Sequence, residues 1–235
     1  MEQIPYLTTD EMREVDRLMI EVYGIELIQM MENAGRCLAE LSRNLFLAGD
    51  PRGKQVVVLA GRGGNGGGGL VCARRLYNWG ADVVVCTTHA DGLYAGVPAH
   101  QLAVLRAMGV RVITGETAVL PSSPHLIIDA IIGYGLSGNP HGTATRLIQW
   151  ATNQPAPILS LDTPSGLDTT TGLVYDPAIQ ATATMTLALP KKGLRNTTQT
   201  GALYLADISV PPDLYVHLGL DVGPVFAQNE IIRIA

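Results

Sequence analysis

Aromatic residues are scarce in this chain, 5% of 235 residues, and charged residues reach only 16%. So few rings leave no row of stacking platforms for single-stranded nucleic acid. A net charge of −5 offers no basic stripe to a phosphate backbone. The three cysteines, Cys37, Cys72 and Cys86, are odd in number and lack metal-ligand spacing, which excludes a disulfide scaffold and suits a reducing compartment. No apolar run approaches the roughly 18 residues of a membrane-spanning helix. The N-terminal Met-Glu-Gln-Ile-Pro-Tyr has neither the basic nor the apolar stretch of a secretion signal. These absences predict a cytoplasmic protein with no nucleic-acid and no membrane partner.

What is present points to an ordered core. Hydrophobic residues make up 47%, too many for a disordered chain, and the length suits one domain, 1–235. The 26 glycines are clustered rather than periodic, which marks specific close approaches of the backbone. Thr8-Thr9-Asp10-Glu11 has the pattern of a capping box and predicts a helix running to about Val22. Leu27, Met30, Met31, Ala34, Leu38, Leu41 and Leu45 recur at helical spacing, so a second helix follows. These N-terminal helices occupy about 8–46, and a core occupies about 54–235. Within that core, apolar runs at 55–60, 81–87, 110–113, 126–129 and 158–161 alternate with helical patterns at 70–77, 99–108 and 145–152. Late strands are predicted at 184–189 and 202–205. Continuous apolar strands alternating with helices predict a Rossmann-like three-layer α/β/α sandwich with a mainly parallel sheet.

Ligands in such a fold sit beyond the carboxyl ends of the strands, and three loops there carry chemistry. The first, Gly61-Arg62-Gly63-Gly64-Asn65-Gly66-Gly67-Gly68-Gly69, holds seven glycines in nine residues and can turn backbone N–H groups toward an anion. Its Gly61-x-Gly63-x-x-Gly66 spacing admits a nicotinamide dehydrogenase. Against that, Cys86-Thr87-Thr88-His89 stands where the acidic residue ending the second strand is expected. The second loop follows Asp129, which closes an apolar strand beside Gly133-Tyr134-Gly135. The third is Asp162-Thr163-Pro164-Ser165-Gly166, where a carboxylate and a hydroxyl end another strand. The fold predicts that Asn65, Asp129, Asp162 and Ser165 converge on one edge, with hard oxygen ligands suited to an alkali or alkaline-earth cation.

Together these segments resemble the YjeF N-terminal domain family of NAD(P)H-hydrate epimerases. Met31-Glu32-Asn33-Ala34-Gly35 is similar to its N-terminal helix signature, and the glycine loop to its Gly-Pro-Gly-Asn-Asn-Gly-Gly-Asp-Gly. Asp129 to Gly135 resembles its Asp-Ala-x-x-Gly-x-Gly, Asp162 to Gly166 its Asp-x-Pro-Ser-Gly, and Pro190 to Gly193 its Pro-Lys-x-Gly. The resemblance implies a potassium ion bound by Asn65, Asp129 and Ser165. It implies contacts to NADHX or NADPHX from Gly64, Asn65, Gly66, Gly67 and Gly68, from Gly133, Tyr134, Gly135, Leu136, Ser137, Gly138 and Asn139, and from Asp162. Asp162 is the expected acid/base group, with Asp129 the better cation ligand and a second candidate for proton transfer. A homodimer is implied, and a separate NAD(P)H-hydrate dehydratase as functional partner.

The sequence also departs from that family. Gly64 and Gly68 stand in place of an Asn and an Asp, Arg62 in place of Pro, and Thr182 in place of a common Asp. The alternative reading is therefore a catalytically weakened nucleotide-binding or scaffold module of the same fold. Lys191 and Lys192, adjacent after a strand, are expected to be solvated, and His89 to be an ordinary surface residue. Met30, Met31, Cys72, Trp79 and Trp150 are expected to pack.

Overall fold

A computed structural model describes residues 4–115 and 119–235. The chain begins with helices α1 (Thr9–Glu21) and α2 (Leu27–Phe46). Strands β1 (Gln55–Ala60), β2 (Asp82–Thr87) and β3 (Arg111–Thr114) follow, connected by α3 (Gly64–Asn78) and α4 (Gly96–Ala107). Then come β4 (Leu126–Ala130), α5 (Thr143–Thr152), β5 (Ile158–Leu161), β6 (Ala183–Leu187), β7 (Ala202–Ala206), α6 (Pro212–Val216) and β8 (Ile231–Arg233).

The strands form one eight-stranded sheet in the order β3-β2-β1-β4-β5-β6-β7-β8. Every neighbouring pair is parallel except β7 with β8. Alternate residues of β1 face opposite layers. Val56, Val58 and Ala60 pack with Leu38 of α2, Leu70 and Leu76 of α3 and Leu105 of α4. Val57 and Leu59 pack with Leu147, Ile148 and Ala151 of α5. Both faces of the sheet are thus covered, which is why its strands read as unbroken apolar runs.

The strand order reverses direction between β1 and β4, the place where such sheets open a crevice. In register, Leu59 lies beside Asp129 and Asp129 beside Ser160. The loops leaving β1, β4 and β5 therefore emerge side by side.

The N-terminal segment joins this edge through backbone pairing. Leu7 N–H donates to the Pro190 carbonyl at 2.8 Å, and Lys192 N–H donates to the Leu7 carbonyl at 2.7 Å. Helix α1 then buries Met12, Val15, Leu18 and Met19 against Met30 and Ala34 of α2 and against Leu189, Ile208, Leu214 and Tyr215.

Several boundaries differ from the sequence pattern. Helix α3 starts at Gly64 rather than near Leu70; at Gly66 to Gly69 a Cβ would lie within 2.8 Å of neighbouring backbone or side-chain atoms, so close packing places glycine inside the helix. Helix α6 and strand β8 carried no clear periodic signal, being five and three residues long. The expected packing residues do pack: Met30, Met31 and Cys72 are buried. Trp79 and Trp150 sit half-buried against the core. Burial pushes the Cys37 thiol up to about 11 and the Cys86 thiol up to about 12, and raises Cys72 as well, so all three behave as inert core groups.

The capping box is formed as predicted: the Glu11 N–H donates to Thr8 Oγ1 at 3.2 Å while the Glu11 carboxylate accepts from Thr8 N–H at 2.6 Å. Replacing Thr8 with Ala removes the first of these bonds and should cost about 1 kcal/mol. For a chain of this size the melting temperature should fall by about 2–4 °C, measurable by scanning calorimetry.

Candidate functional site

At the end of β1 the backbone turns so tightly that two positions admit only glycine. A Cβ on Gly61 would lie 2.0 Å from the Ile131 carbonyl oxygen, and one on Gly66 would lie 1.8 Å from the Gly61 carbonyl oxygen. This turn delivers the chain directly into α3, whose N-cap is Gly63 and which has no side-chain cap. The N–H groups of its first turn are thus available to an anion. Gly64 is open, with only Met31 Cε at 3.9 Å from a built Cβ. Gly68 is not: a Cβ there would meet Leu161 Cδ2 at 2.8 Å, so Leu161 occupies the space a side chain would need.

Asp129 is fully buried beneath this edge. Its Oδ1 accepts from Ser165 Oγ at 2.6 Å and from Ile131 N–H at 3.3 Å. Its Oδ2 accepts from Ser160 Oγ and Ser165 N–H, each at 2.8 Å. Burial raises its carboxyl above the usual carboxylate range, and the four donors oppose that rise. Ser165 Oγ in turn accepts from Ile132 N–H at 2.9 Å. One carboxylate thereby ties the loop after β4 to the loop after β5.

Asn65 lies against that loop, its Cβ and Cγ each 3.2 Å from a Cβ built on Gly133. Its Nδ2 is buried without a hydrogen-bond partner among the described residues. A buried amide left unpaired is costly, and reversing the amide would put Oδ1 in that place.

Asp162 sits on a γ-turn of the rarer, positive-φ kind: its φ is +65° and Thr163 N–H donates to the Leu161 carbonyl at 2.8 Å. Such backbone strain in a non-glycine residue concentrates at functional sites. Its carboxylate is ion-paired with Lys191 and accepts from Leu187 N–H at 3.3 Å and from Thr186 Oγ1 at 3.4 Å.

Lys191 corrects the sequence reading. It is fully buried rather than solvated, donating to the Leu187 carbonyl at 2.9 Å and to Thr186 Oγ1 at 3.3 Å as well as to Asp162. Its backbone pairs with Leu7, a long-range contact that no local pattern announces. Lys192, by contrast, is half-exposed, with Nζ 3.4 Å from Glu11.

These groups surround a cavity of about 970 Å³, at the upper end of the usual range for small-molecule sites. The structure brings Gly64, Asn65 and Gly68, Gly133 to Ser137, Asn139 and Asp162 to its wall. Gly66, Gly67 and Gly138 do not line it; a Cβ on Gly66 would point into the Gly61 backbone and one on Gly67 into the Met31 side chain. Asp129 and Ser165 stand behind the wall, each at 0% exposure. Among the described residues no group of three or more His, Cys, Asp or Glu could hold a metal. His89 also reaches the wall, beside Thr88, which it meets at 2.8 Å. Sequence reasoning missed Met12 and Asp16 of α1, which line the same cavity.

The family profile described as the YjeF-related protein N-terminus matches residues 27–193. A Dehalogenimonas lykanthroporepellens protein named NAD(P)H-hydrate epimerase is 43% identical, over 97% of this chain and 92% of its own. A second, from Truepera radiovictrix, is 36% identical over 97% of this chain and 100% of its own. The bifunctional NAD(P)H-hydrate repair enzyme Nnr of Salinibacter ruber is 38% identical over 88% of this chain, which spans 41% of that protein. The crystal structure of yeast ynu0 superposes with a TM-score of 0.85 at 25% identity, covering 98% of this chain and 100% of the other.

The glycine contacts give a paired expectation. Gly66→Ala drives a Cβ into backbone that cannot yield and should lower the melting temperature by several degrees or abolish folding. Gly64→Ala meets open space and should hold wild-type stability or gain up to about 1 kcal/mol, as denaturant titration would show.

Proposed function

The chain belongs to the YjeF-related N-terminal family, and on that premise we propose that it is an NAD(P)H-hydrate epimerase, interconverting the R and S forms of NADHX and NADPHX. The observation that carries this reading is the shared cavity: loops far apart in sequence, each matching a family motif, meet around one volume large enough for a nucleotide.

The chemistry required is cleavage and re-formation of one C–O bond. The leaving hydroxyl takes a proton, the ring nitrogen's electron pair develops an iminium, and water returns to the other face. No electron transfer is involved. Asp162 reaches the cavity wall with one carboxylate oxygen held by Lys191, which fixes where its proton-accepting atoms lie. A carboxylate so placed transfers the proton and lies close to the developing positive charge. The open N-terminus of α3 supports the phosphates.

Asn65, Asp129 and Ser165 fit a potassium ion by their chemistry. All carry hard oxygens, and the orphaned amide of Asn65 is satisfied if Oδ1 faces a cation. When bound, potassium supplies a fixed positive charge that offsets the burial of the Asp129 carboxylate. The residues themselves hold the β4 and β5 loops in register whether or not they also ligate.

We place the protein in the cytoplasm, working with a separate dehydratase that restores NAD(P)H. No helix among the described residues is long and apolar enough to cross a membrane. A homodimer through the N-terminal helices is supported by Ile20 and Val22, which α1 leaves exposed at its end.

Resolved hydrate epimer followed by HPLC should epimerise faster with the protein than without it; equal rates would retire the epimerase reading. Asp162→Asn should slow the interconversion at least about tenfold, given the hundredfold or more typical of general acid/base groups. Melting should shift upward in potassium relative to a bulky organic cation, and indifference to the cation would remove the ion from the scheme.

A further inference from the structure

The cavity holds a second carboxyl group that the family-matched segment does not contain. Asp16 lies on α1, outside residues 27–193, yet it lines the same cavity as Asp162, Lys191 and Tyr134. Tyr134 Oη donates to Asp16 Oδ2, and Oδ1 has no hydrogen bond among the described residues, so one oxygen is anchored and the other is free to face a ligand. The anchoring Tyr134 comes from the glycine-containing loop between β4 and α5, whereas Asp16 comes from the packed N-terminal helix. The two carboxyl groups therefore enter the cavity from different elements and carry different partners: Asp162 the ammonium of Lys191, Asp16 the phenol of Tyr134.

Epimerisation at a ring carbon makes a matching demand. The hydroxyl leaves from one face and water adds to the other, so a ring held in one pose needs a proton donor on the first face and an acceptor on the second. We propose that Asp16, oriented by Tyr134, is the second proton-transfer group, serving the ring face opposite to the one served by Asp162. This rests on the epimerase reading. In one direction the acid form of one carboxyl gives its proton as the C–O bond breaks and water departs. The other, as carboxylate, takes a proton from the incoming water as the new C–O bond forms. In the reverse direction the roles exchange, and each turnover moves one proton from one carboxyl to the other, restored through solvent.

The environments suit this division. Burial raises the Asp16 carboxyl above the usual range, opposed by the Tyr134 hydrogen bond and the charge of Lys191, and reinforced by the charge of Asp162. A carboxyl with its affinity for the proton raised by burial is the form in which enzymes keep a general acid near neutral pH. Tyr134 is a positioning residue: burial and the two nearby carboxylates raise its phenol, so it stays a donor to Asp16.

The test follows both inversion and oxygen exchange, with each resolved epimer incubated in ¹⁸O-water. The wild-type protein should invert both epimers and label both. Asp16→Asn should lose inversion at least about tenfold while one epimer still exchanges its oxygen with retention. Asp162→Asn should leave exchange in the opposite epimer. Tyr134→Phe, which keeps the ring's packing, should show the Asp16→Asn pattern in milder form and guards against a misfolded Asn variant. The proposal is overturned if Asp16→Asn and Tyr134→Phe invert and exchange as the wild type does. It is equally overturned if Asp16→Asn loses exchange in both epimers alike while melting as the wild type does, since that describes one shared acid/base group. A wild-type protein that inverts neither epimer above background overturns the epimerase reading itself, and this inference with it.

Discussion

Everything at the ligand edge of this protein depends on one buried carboxylate. Asp129 sits at the end of β4 with no exposure and four donors, drawn from its own loop and from β5 and the turn beyond it. Leaving a charge in such a place is unfavourable unless every lone pair is met. That condition specifies the positions of Ile131, Ser160 and Ser165 together. Because Ser165 Oγ also receives Ile132 N–H, the same hub shapes the first residues of the 133–139 segment. The cavity wall is in this sense an extension of how Asp129 is solvated by protein.

The glycine loop is constrained by a different force, the exclusion of atoms. Gly61 and Gly66 are held by backbone oxygens at distances no Cβ tolerates. Gly64 and Gly68, the positions that depart from the family pattern, differ from one another. Gly64 faces open space, so a side chain there is a matter of ligand contact alone. At Gly68 a Cβ would meet the terminal methyl of Leu161 at 2.8 Å, so a side chain there would have to displace an apolar neighbour.

Much of this arrangement was legible in the sequence because it is built from local signals. Unbroken apolar runs announced a covered parallel sheet. The capping box at Thr8 and the strand-ending acids at 129 and 162 stood in recognisable local settings. What escaped notice was set by contacts distant along the chain. Lys191 looked like half of a solvated pair, because its partners, Leu7 and the Asp162 carboxylate, lie 184 and 29 residues away in numbering. Asp16 drew no attention, since nothing in the pattern of α1 reveals that one of its polar residues turns toward a cavity. The start of α3 at Gly64 was hidden because glycine argues against helix by propensity, and it is the close packing at Gly66 to Gly69 that explains a run of glycine in its first turns.

The N-terminal segment thus has a larger part than its position suggests. Its Leu7 pairs with the chain on both sides of Lys191, and its helix supplies Met12 and Asp16 to the cavity. The apolar face of α1 keeps that helix in place through Met19 and Leu18, packed with Leu189 and Ile208 near the ends of the sheet. One hydrophobic contact surface therefore sets the reach of the second carboxyl. A chain that lost α1 would keep the glycine loop and the Asp129 hub, both built within the sheet. It would lose Met12 and Asp16 from the cavity wall, so the core would keep its glycine-loop side of the cavity without the second carboxyl.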